Sequence, residues 1–140
     1  MHIYLFNPEN DLALANFTPH YTAPASALTM RSNLALLPIW YAQNSNVLIN
    51  QPEAHSYLPH LQEQFHLPCF ALSTQQLASL PIHSVHPWGW SPAIKRELLL
   101  DGVEEHVLPT DEQLHTIRSY SNRKNAVTIL SALTLSHSDY

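Results

Sequence analysis

The sequence predicts an α/β fold of the three-layer, Rossmann-like kind: an open parallel sheet of about four short strands with helices on both faces. Two observations lead to this prediction. Short segments of strand composition alternate with segments of helical periodicity through the 140 residues, a length typical of one domain. Hydrophobic residues make up 45% of the chain and charged residues only 12%, so a buried core is expected rather than disorder.

Four segments have the composition of short, buried strands. Each combines aliphatic, β-branched or aromatic residues and is bounded by turn formers such as Asn, Ser or Pro. The segments are residues 2–6, 46–50, 68–72 and 82–86. Because helical segments separate them along the chain, parallel pairing with crossover connections is expected.

Two helical segments between these strands carry apolar side chains at three- and four-residue steps. Residues 25–43 form the longest of them, and Pro38 predicts a kink or a break near Leu37. Residues 56–66 form the next, with Pro59 expected in its first turn, where proline is tolerated. The prolines therefore mark the irregularities expected in these helices.

Capping signals predict where three further helices begin. Ser73 and Thr110 each have a glutamine three residues later, which is the pattern of a capping box. Ser91 precedes Pro92, so we expect an N-cap followed by a proline in the first helical position. Gly102 is expected to end that helix.

The chain is expected to consist of two parts. Residues 1–124 form the α/β domain, and residues 125–140 form a helical segment, 126–135, with a polar tail. No C-cap glycine follows the helical segment, which favours a chain that continues beyond Tyr140. We therefore interpret residues 125–140 as the truncated start of a following domain.

Composition excludes several classes of function. Six basic residues against eleven acidic ones give a net charge of −5 and no basic stripe, so a nucleic-acid partner is not expected. The single Cys69 excludes an intramolecular disulfide and a cysteine-rich zinc site. No apolar run approaches the ~20 residues that cross a bilayer, and no leader pattern begins the chain. A cytoplasmic protein without membrane association is expected.

Nucleotide and metal motifs are missing as well. Gly89 and Gly102 are the only glycines, so neither the dinucleotide fingerprint nor the P-loop can be written with them. The ten histidines do not fall at the spacings of a metal site, and no His-Glu-x-x-His motif occurs. We therefore expect no metal and no cofactor in this chain.

Two polar segments are expected at the carboxyl ends of strands, where open parallel sheets bind ligands. The first is expected to be a loop that follows the strand over residues 2–6 and contains Asn7, Glu9, Asn10 and Asp11. Its carboxylates could share a cation or an amine, and its amides can donate and accept hydrogen bonds. The alternative is that these residues only form a turn and cap the next helix.

The second segment is Trp88-Gly89-Trp90-Ser91, at a strand-to-helix turn. An indole there could stack on a planar ligand, and the helix that Ser91 begins favours an anion at its amino end. The alternative is that both indoles are core anchors. Arg31 is expected to pair with Glu9 or Asp11, because charges on apolar helices are usually paired.

Several of these strings together resemble an uncharacterised bacterial protein family whose members are about twice as long. The matching strings are Phe6-Asn7-Pro8-Glu9-Asn10-Asp11-Leu12-Ala13-Leu14-Ala15, Met30-Arg31, Leu36-Leu37-Pro38, Trp40-Tyr41-Ala42, Pro87-Trp88-Gly89-Trp90-Ser91, Gly102-Val103, Leu108-Pro109, Ile117-Arg118, Ser121 and Arg123. The second half of such proteins resembles an ATP-grasp ligase. The resemblance, which runs to about Arg123, implies that this chain is the amino-terminal, pre-ATP-grasp domain.

The resemblance implies a function and leaves two alternatives. The expected function is the acceptor-substrate side of an ATP-dependent carboxylate–amine or carboxylate–thiol ligase, not catalytic alone, with ATP and magnesium bound only by the missing part. Its expected ligand is a small molecule. One alternative is a binding or oligomerisation module, such as a homodimer. The other is an autonomous enzyme with Glu9 or Asp11 as general base. The resemblance assigns no catalytic residue.

Overall fold

A computed structural model describes residues 1–42 and 44–136, with side chains as far as residue 133. Its strands form one open sheet in which every neighbouring pair is parallel. The strands are β1 (His2–Leu5), β2 (Asn46–Leu48), β3 (Phe70–Leu72) and β4 (Ser84–Pro87). Their order is β3-β2-β1-β4, so β1 and β2 occupy the centre and β3 and β4 the edges. The predicted α/β class and parallel sheet are confirmed.

Seven α-helices lie in the described part of the chain. They are α1 (Asn10–Asn16), α2 (Ala25–Asn33), α3 (Pro52–Phe65), α4 (Thr74–Leu77), α5 (Pro92–Leu100), α6 (Asp111–Tyr120) and α7 (Arg123–Ser136). Short 3₁₀ segments cover Leu37–Trp40 and Glu105–Val107. The capping boxes at Ser73 and Thr110 are both present, and Ser91 caps α5 as predicted. Gly102 follows α5 with a φ of 90°, the left-handed conformation that a helix-ending glycine adopts.

Two details of the helices differ from prediction. The segment 25–43 does not form one kinked helix: α2 ends at Asn33, and a 3₁₀ segment carries Pro38. The break is thus confirmed but begins earlier than Leu37, and Gln43 lies outside the described residues. Helix α3 begins at Pro52, so the prediction that Pro59 lies in a first turn is wrong. Pro52 takes that position instead, because its fixed φ suits the first helical residue.

The alternation of side chains along the strands gives the sheet a core on each face. Ile3 and Leu5 of β1 point to one face, where α4 and α5 contribute Leu77, Ile94 and Leu98. On the other face, Val47 of β2 packs with Ile39 of the 3₁₀ segment and Leu58 of α3. Helices therefore cover both faces of the sheet, which is the predicted three-layer arrangement.

The chain divides into two compact units, Met1–Pro109 and a second that begins at Thr110. The first unit contains the whole sheet and helices α1 to α5, and therefore all of the predicted site residues. The second contains α6 and α7, which contact one another. Within the described residues, no helix is long and apolar enough to span a bilayer.

Candidate functional site

The strand order places a topological switch point between β1 and β4. From β1 the chain proceeds to β2 and β3 on one side, and then crosses to β4 on the other side of β1. Ligands of open α/β sheets bind in the crevice outside the carboxyl ends of the strands at such a point. Both predicted segments begin there, because Asn7 follows β1 and Trp88 follows β4.

A pair of hydrogen bonds joins the two segments. The Asn7 side-chain Nδ2 donates to the Gly89 carbonyl at 2.8 Å, and the Gly89 N–H donates to Asn7 Oδ1 at 3.2 Å. The Asn7 side chain is fully buried. In the structure this side chain therefore holds the two strand ends together, and both polar atoms of its amide take part in that connection.

Asn10 lies behind this connection, against the backbone of Gly89. A Cβ atom at Gly89 would lie only 2.1 Å from Asn10 Nδ2, so the glycine is required for this close approach. Asn10 and Asp11 are not loop residues as predicted but lie in the first turn of α1, with Glu9 in the N-cap position. The backbone N–H of Asn10 donates to the Asn7 carbonyl, which begins the helix at once.

Glu9, Arg31 and Glu97 form an ion cluster next to the connected strand ends. Arg31 Nη1 lies 3.2 Å from Glu9 Oε1, which confirms the predicted pairing with Glu9. The same guanidinium reaches Glu97 of α5, with Nη2 to Oε1 at 2.5 Å and Nη1 to Oε2 at 3.2 Å. Asp11, the other predicted partner, is exposed and takes no part. Glu97 escaped the sequence analysis because 66 residues separate it from Arg31 and no local pattern links them.

The electrostatics of the cluster favour a permanently charged arginine. Burial by itself lowers the pKa of Arg31, but the hydrogen bond to Glu97 and the negative charges of Glu97, Glu9 and Asp101 together raise it. Burial raises the pKa of Asp101, and the charge of Glu97 raises it further, while Arg31 opposes both. The Glu9 side chain is only 10% exposed and that of Glu97 is 39% exposed. Glu9 is therefore the interior partner of Arg31 and Glu97 the outer one.

A cavity of about 310 Å³ opens beside this cluster. Its polar lining comes from the N-cap of α1, the connector after α1, α2 and α5 with its N-cap, and the apolar part comes from α1, the same connector, α2 and α5. The lining residues include Glu9, Arg31, Ser91, Arg96, Glu97, Tyr21, Leu28 and Ile94. Among the site residues predicted from sequence, Glu9, Arg31 and Ser91 therefore lie at one cavity.

Two groups at this cavity lack partners. Glu9 Oε2 is buried and has no hydrogen-bond partner, although Oε1 of the same carboxylate meets Arg31. Arg96 is exposed at the cavity, and in the described part of the chain it has no ion pair. No local pattern in the sequence marks Arg96, which lies one turn into α5, as a site residue.

The two tryptophans lie outside the lining of this cavity. Trp90 is partly buried and packs against the core that contains Ile3 and Leu98, so the core-anchor alternative holds for it. Trp88 is 60% exposed and meets Phe6 edge to face, with ring centroids 5.5 Å apart. Of these two indoles, Trp88 is therefore the one that is exposed to a ligand or a partner.

A second cavity of about 590 Å³ lies at the carboxyl ends of β2 and β3. Asn50, His55 and Thr74 are among its lining residues, and no carboxylate, lysine or arginine is. Its polar groups partly satisfy one another: the Thr74 N–H donates to Asn50 Oδ1, and His55 Nε2 hydrogen-bonds the Ile49 carbonyl. The cavity of about 310 Å³ beside Glu9, Arg31 and Glu97, which we call the ionic cavity, is therefore the stronger candidate site.

Thiol and metal chemistry have little support in the described residues. Cys69 is buried in the core, and burial raises the pKa of its thiol, which opposes formation of a reactive thiolate. Across residues 1–42 and 44–136, no group of three or more His, Cys, Asp or Glu side chains is placed to hold a metal ion.

No protein-family model, curated protein or solved structure matches the chain. The fold and the site define the class of this protein. It is an α/β unit with an open parallel sheet and an ionic cavity beside the topological switch point.

Proposed function

We propose that the unit Met1–Pro109 is the acceptor-substrate-binding domain of an ATP-grasp-like ligase, and that the acceptor binds in the ionic cavity. The family resemblance of the Asn7–Asp11 and Trp88–Ser91 segments supports the ligase class. The single observation that supports the site is the Glu9–Arg31–Glu97 cluster, which fixes charged groups at a cavity beside the switch point.

The residues at the cavity suit an orienting role. In this class of reaction ATP phosphorylates a carboxylate, and an amine or thiol then attacks the acyl phosphate. An acceptor must be held in one orientation for that attack, and pre-positioned charged groups achieve this at little entropic cost. Arg31 is suited to this because two carboxylates restrain its guanidinium. ATP and magnesium would be bound by the part of the ligase that follows this unit.

An NMR titration of the 140-residue chain tests the proposal. We expect small polar amines, thiols and carboxylates to perturb the resonances of Glu9, Arg31 and Ser91, and we expect MgATP to leave them unchanged. Ala93→Leu narrows the cavity without changing its charge and should weaken the binding of such compounds. Binding of MgATP in this cavity would overturn the proposal. So would acceptor compounds that bind only at the cavity near His55 and Thr74.

A binding or oligomerisation module is the second candidate, favoured by exposed apolar side chains. Helix α2 buries none of its residues, and Leu28 and Met30 are both 49% exposed. On α7, Val127 is 66% and Leu130 63% exposed. Light scattering after size exclusion tests this candidate: a monomer at every concentration contradicts it, and a dimer supports it. No observation favours the autonomous enzyme, because Glu9 is paired with Arg31 and Asp11 is not among the residues that line the cavity.

A further inference from the structure

We infer that the ionic cavity takes a small zwitterion, with an ammonium group facing Glu9 and an anionic group facing Arg96. The inference rests on the proposed function and narrows it, because it specifies the charges that the acceptor must carry. Two observations carry it independently: a buried carboxylate oxygen without a donor, and a cavity-lining arginine without a carboxylate.

The first observation concerns Glu9. Its Oε2 atom is buried and unpartnered, and such an oxygen destabilises the protein until a donor reaches it. Arg31 already engages Oε1, and Glu9 lines the cavity, so a donor bound in the cavity would meet this carboxylate. An ammonium group supplies three N–H donors and a positive charge, which suits this position better than a hydroxyl or a thiol does.

The charge around Arg31 points the same way. Glu9 and Glu97 both contact the guanidinium, and the charge of Asp101 also acts on it. One positive group therefore stands among three acidic ones, which leaves the cluster net negative. A cation bound there would reduce this imbalance, whereas a carboxylate or phosphate would increase it.

The second observation concerns Arg96, a positive charge at the rim of the cavity. Arg96 lines the cavity from α5 and is exposed, and the described residues offer it no ion pair. The amino end of the nine-residue α5 lies at the same wall, because Ser91 and Ala93 also line the cavity. A guanidinium and a helix amino end together favour an anion. The two walls thus prefer opposite charges.

Three probes of equal carbon number test the inference on the whole 140-residue chain. β-Alanine carries both charges, n-propylamine only the positive one and propionate only the negative one. In an NMR titration we expect β-alanine to bind most tightly and to perturb Glu9, Ser91 and Arg96. Glu9→Gln should weaken binding of β-alanine and propylamine about tenfold, since a hydrogen bond to a charged group contributes about that factor.

Substitutions at Arg96 keep the test informative if Glu9→Gln impairs folding, because Arg96 is exposed. Arg96→Gln should weaken the binding of β-alanine about two- to fivefold, the effect expected when an exposed ionic contact is lost. It should leave the affinity for propylamine unchanged. Arg96→Glu should reverse the preference, so that propylamine binds more tightly than β-alanine. Glu63→Gln, at an exposed site on α3, is the matched control and should change nothing.

Three outcomes would overturn the inference. They are propionate binding most tightly, equal binding of β-alanine and propylamine by the unsubstituted chain, and failure of all three probes to perturb the cavity. Either of the first two leaves the proposed function standing, because an amine or a carboxylate still binds in the cavity. The third contradicts the proposed function as well, which also fails if MgATP binds in the cavity or if acceptors bind elsewhere. The two failures are therefore distinguishable.

Discussion

Asn7 and Gly89 exchange two hydrogen bonds across the carboxyl ends of β1 and β4, at 2.8 and 3.2 Å. The last backbone hydrogen bond between the two strand ends runs from the Trp88 N–H to the Leu5 carbonyl. Beyond it, the Asn7 side chain continues the connection between the two strands. It thereby fixes the distance between the segment that contains Glu9 and the helix that contains Glu97. Both carboxylates that line the cavity follow this connection along the chain: Glu9 comes two residues after Asn7, and Glu97 eight residues after Gly89.

Asn7→Ala should destabilise the first unit. The substitution removes both hydrogen bonds and leaves the Gly89 carbonyl and N–H without their partner, which costs about 2–3 kcal/mol. Urea denaturation followed by tryptophan fluorescence measures this loss. Asn16→Ala, at the exposed end of α1, is the control and should change stability by less than about 0.5 kcal/mol. Equal effects of the two substitutions would show that the connection adds no stability.

Gly89→Ala should also destabilise the unit, but through a steric clash that a second substitution relieves. The new Cβ would lie 2.1 Å from Asn10 Nδ2 and 2.3 Å from Asn10 Cγ. Asn10→Ala removes those atoms and sacrifices little, since Asn10 Oδ1 has no hydrogen-bond partner. The double variant should therefore recover at least about 1 kcal/mol relative to the sum of the single variants. Strict additivity in the double-mutant cycle would contradict this account.

His86 on β4 should make stability depend on pH. Burial lowers the pKa of His86, and the nearby His2 lowers it further. The His86 ring stacks on Tyr4 at 4.7 Å, and its Nε2 hydrogen-bonds Ser84 Oγ, which also meets His2 Nδ1. Because the folded state disfavours protonated His86, its contribution is fully present above the unfolded pKa of about 6.5. That contribution is lost as the pH falls from there through the lower folded pKa.

Unfolding measurements in urea at several pH values between 5 and 8 test this dependence. His86→Gln should flatten the fall in stability below about pH 6.5, the unfolded pKa of histidine. His20→Gln, at an exposed site, should leave the fall unchanged. An identical pH profile for the His86→Gln variant and the unsubstituted chain would show that this imidazole does not control the effect.

The sequence predicted the features that depend on local chemistry. The capping boxes at Ser73 and Thr110 are set by side chains within three residues of the helix start, and both are present. Pro59 was placed wrongly because two prolines compete for the first turn of α3, and the pattern of apolar residues does not show which one takes it. Tertiary packing decided that helix boundary.

The site was predictable only in part, for the same reason. The pairing of Arg31 with Glu9 followed from the rule that a charge on an apolar helix finds a partner. Glu97 and Arg96 could not be found, because α5 and α2 are far apart in sequence and only the tertiary fold brings Glu97 to Arg31. The connection between Asn7 and Gly89 likewise depends on the strand order, which places β4 next to β1.

Of the two carboxylates that contact Arg31, the more buried Glu9 should contribute more to stability than the more exposed Glu97. Arg31→Met leaves the buried Glu9 without its cation and should cost about 3–5 kcal/mol, the usual result of breaking a buried pair from one side. Glu97→Gln should cost no more than about 1 kcal/mol, since its side chain is 39% exposed and water replaces part of the interaction.

A double variant separates the charge of Glu9 from the packing of Arg31. In Arg31→Met with Glu9→Gln, no buried charge remains unpaired, so stability should recover by at least half of the loss caused by Arg31→Met alone. Arg31→Lys should lose less stability than Arg31→Met but should remain less stable than the unsubstituted chain, because a single ammonium cannot engage two carboxylates with the fork geometry of a guanidinium. Urea midpoints at constant m-value measure all four variants. If Glu97→Gln proved as costly as Arg31→Met, the outer carboxylate would be the main structural partner, and Glu9 would be free to serve the cavity alone.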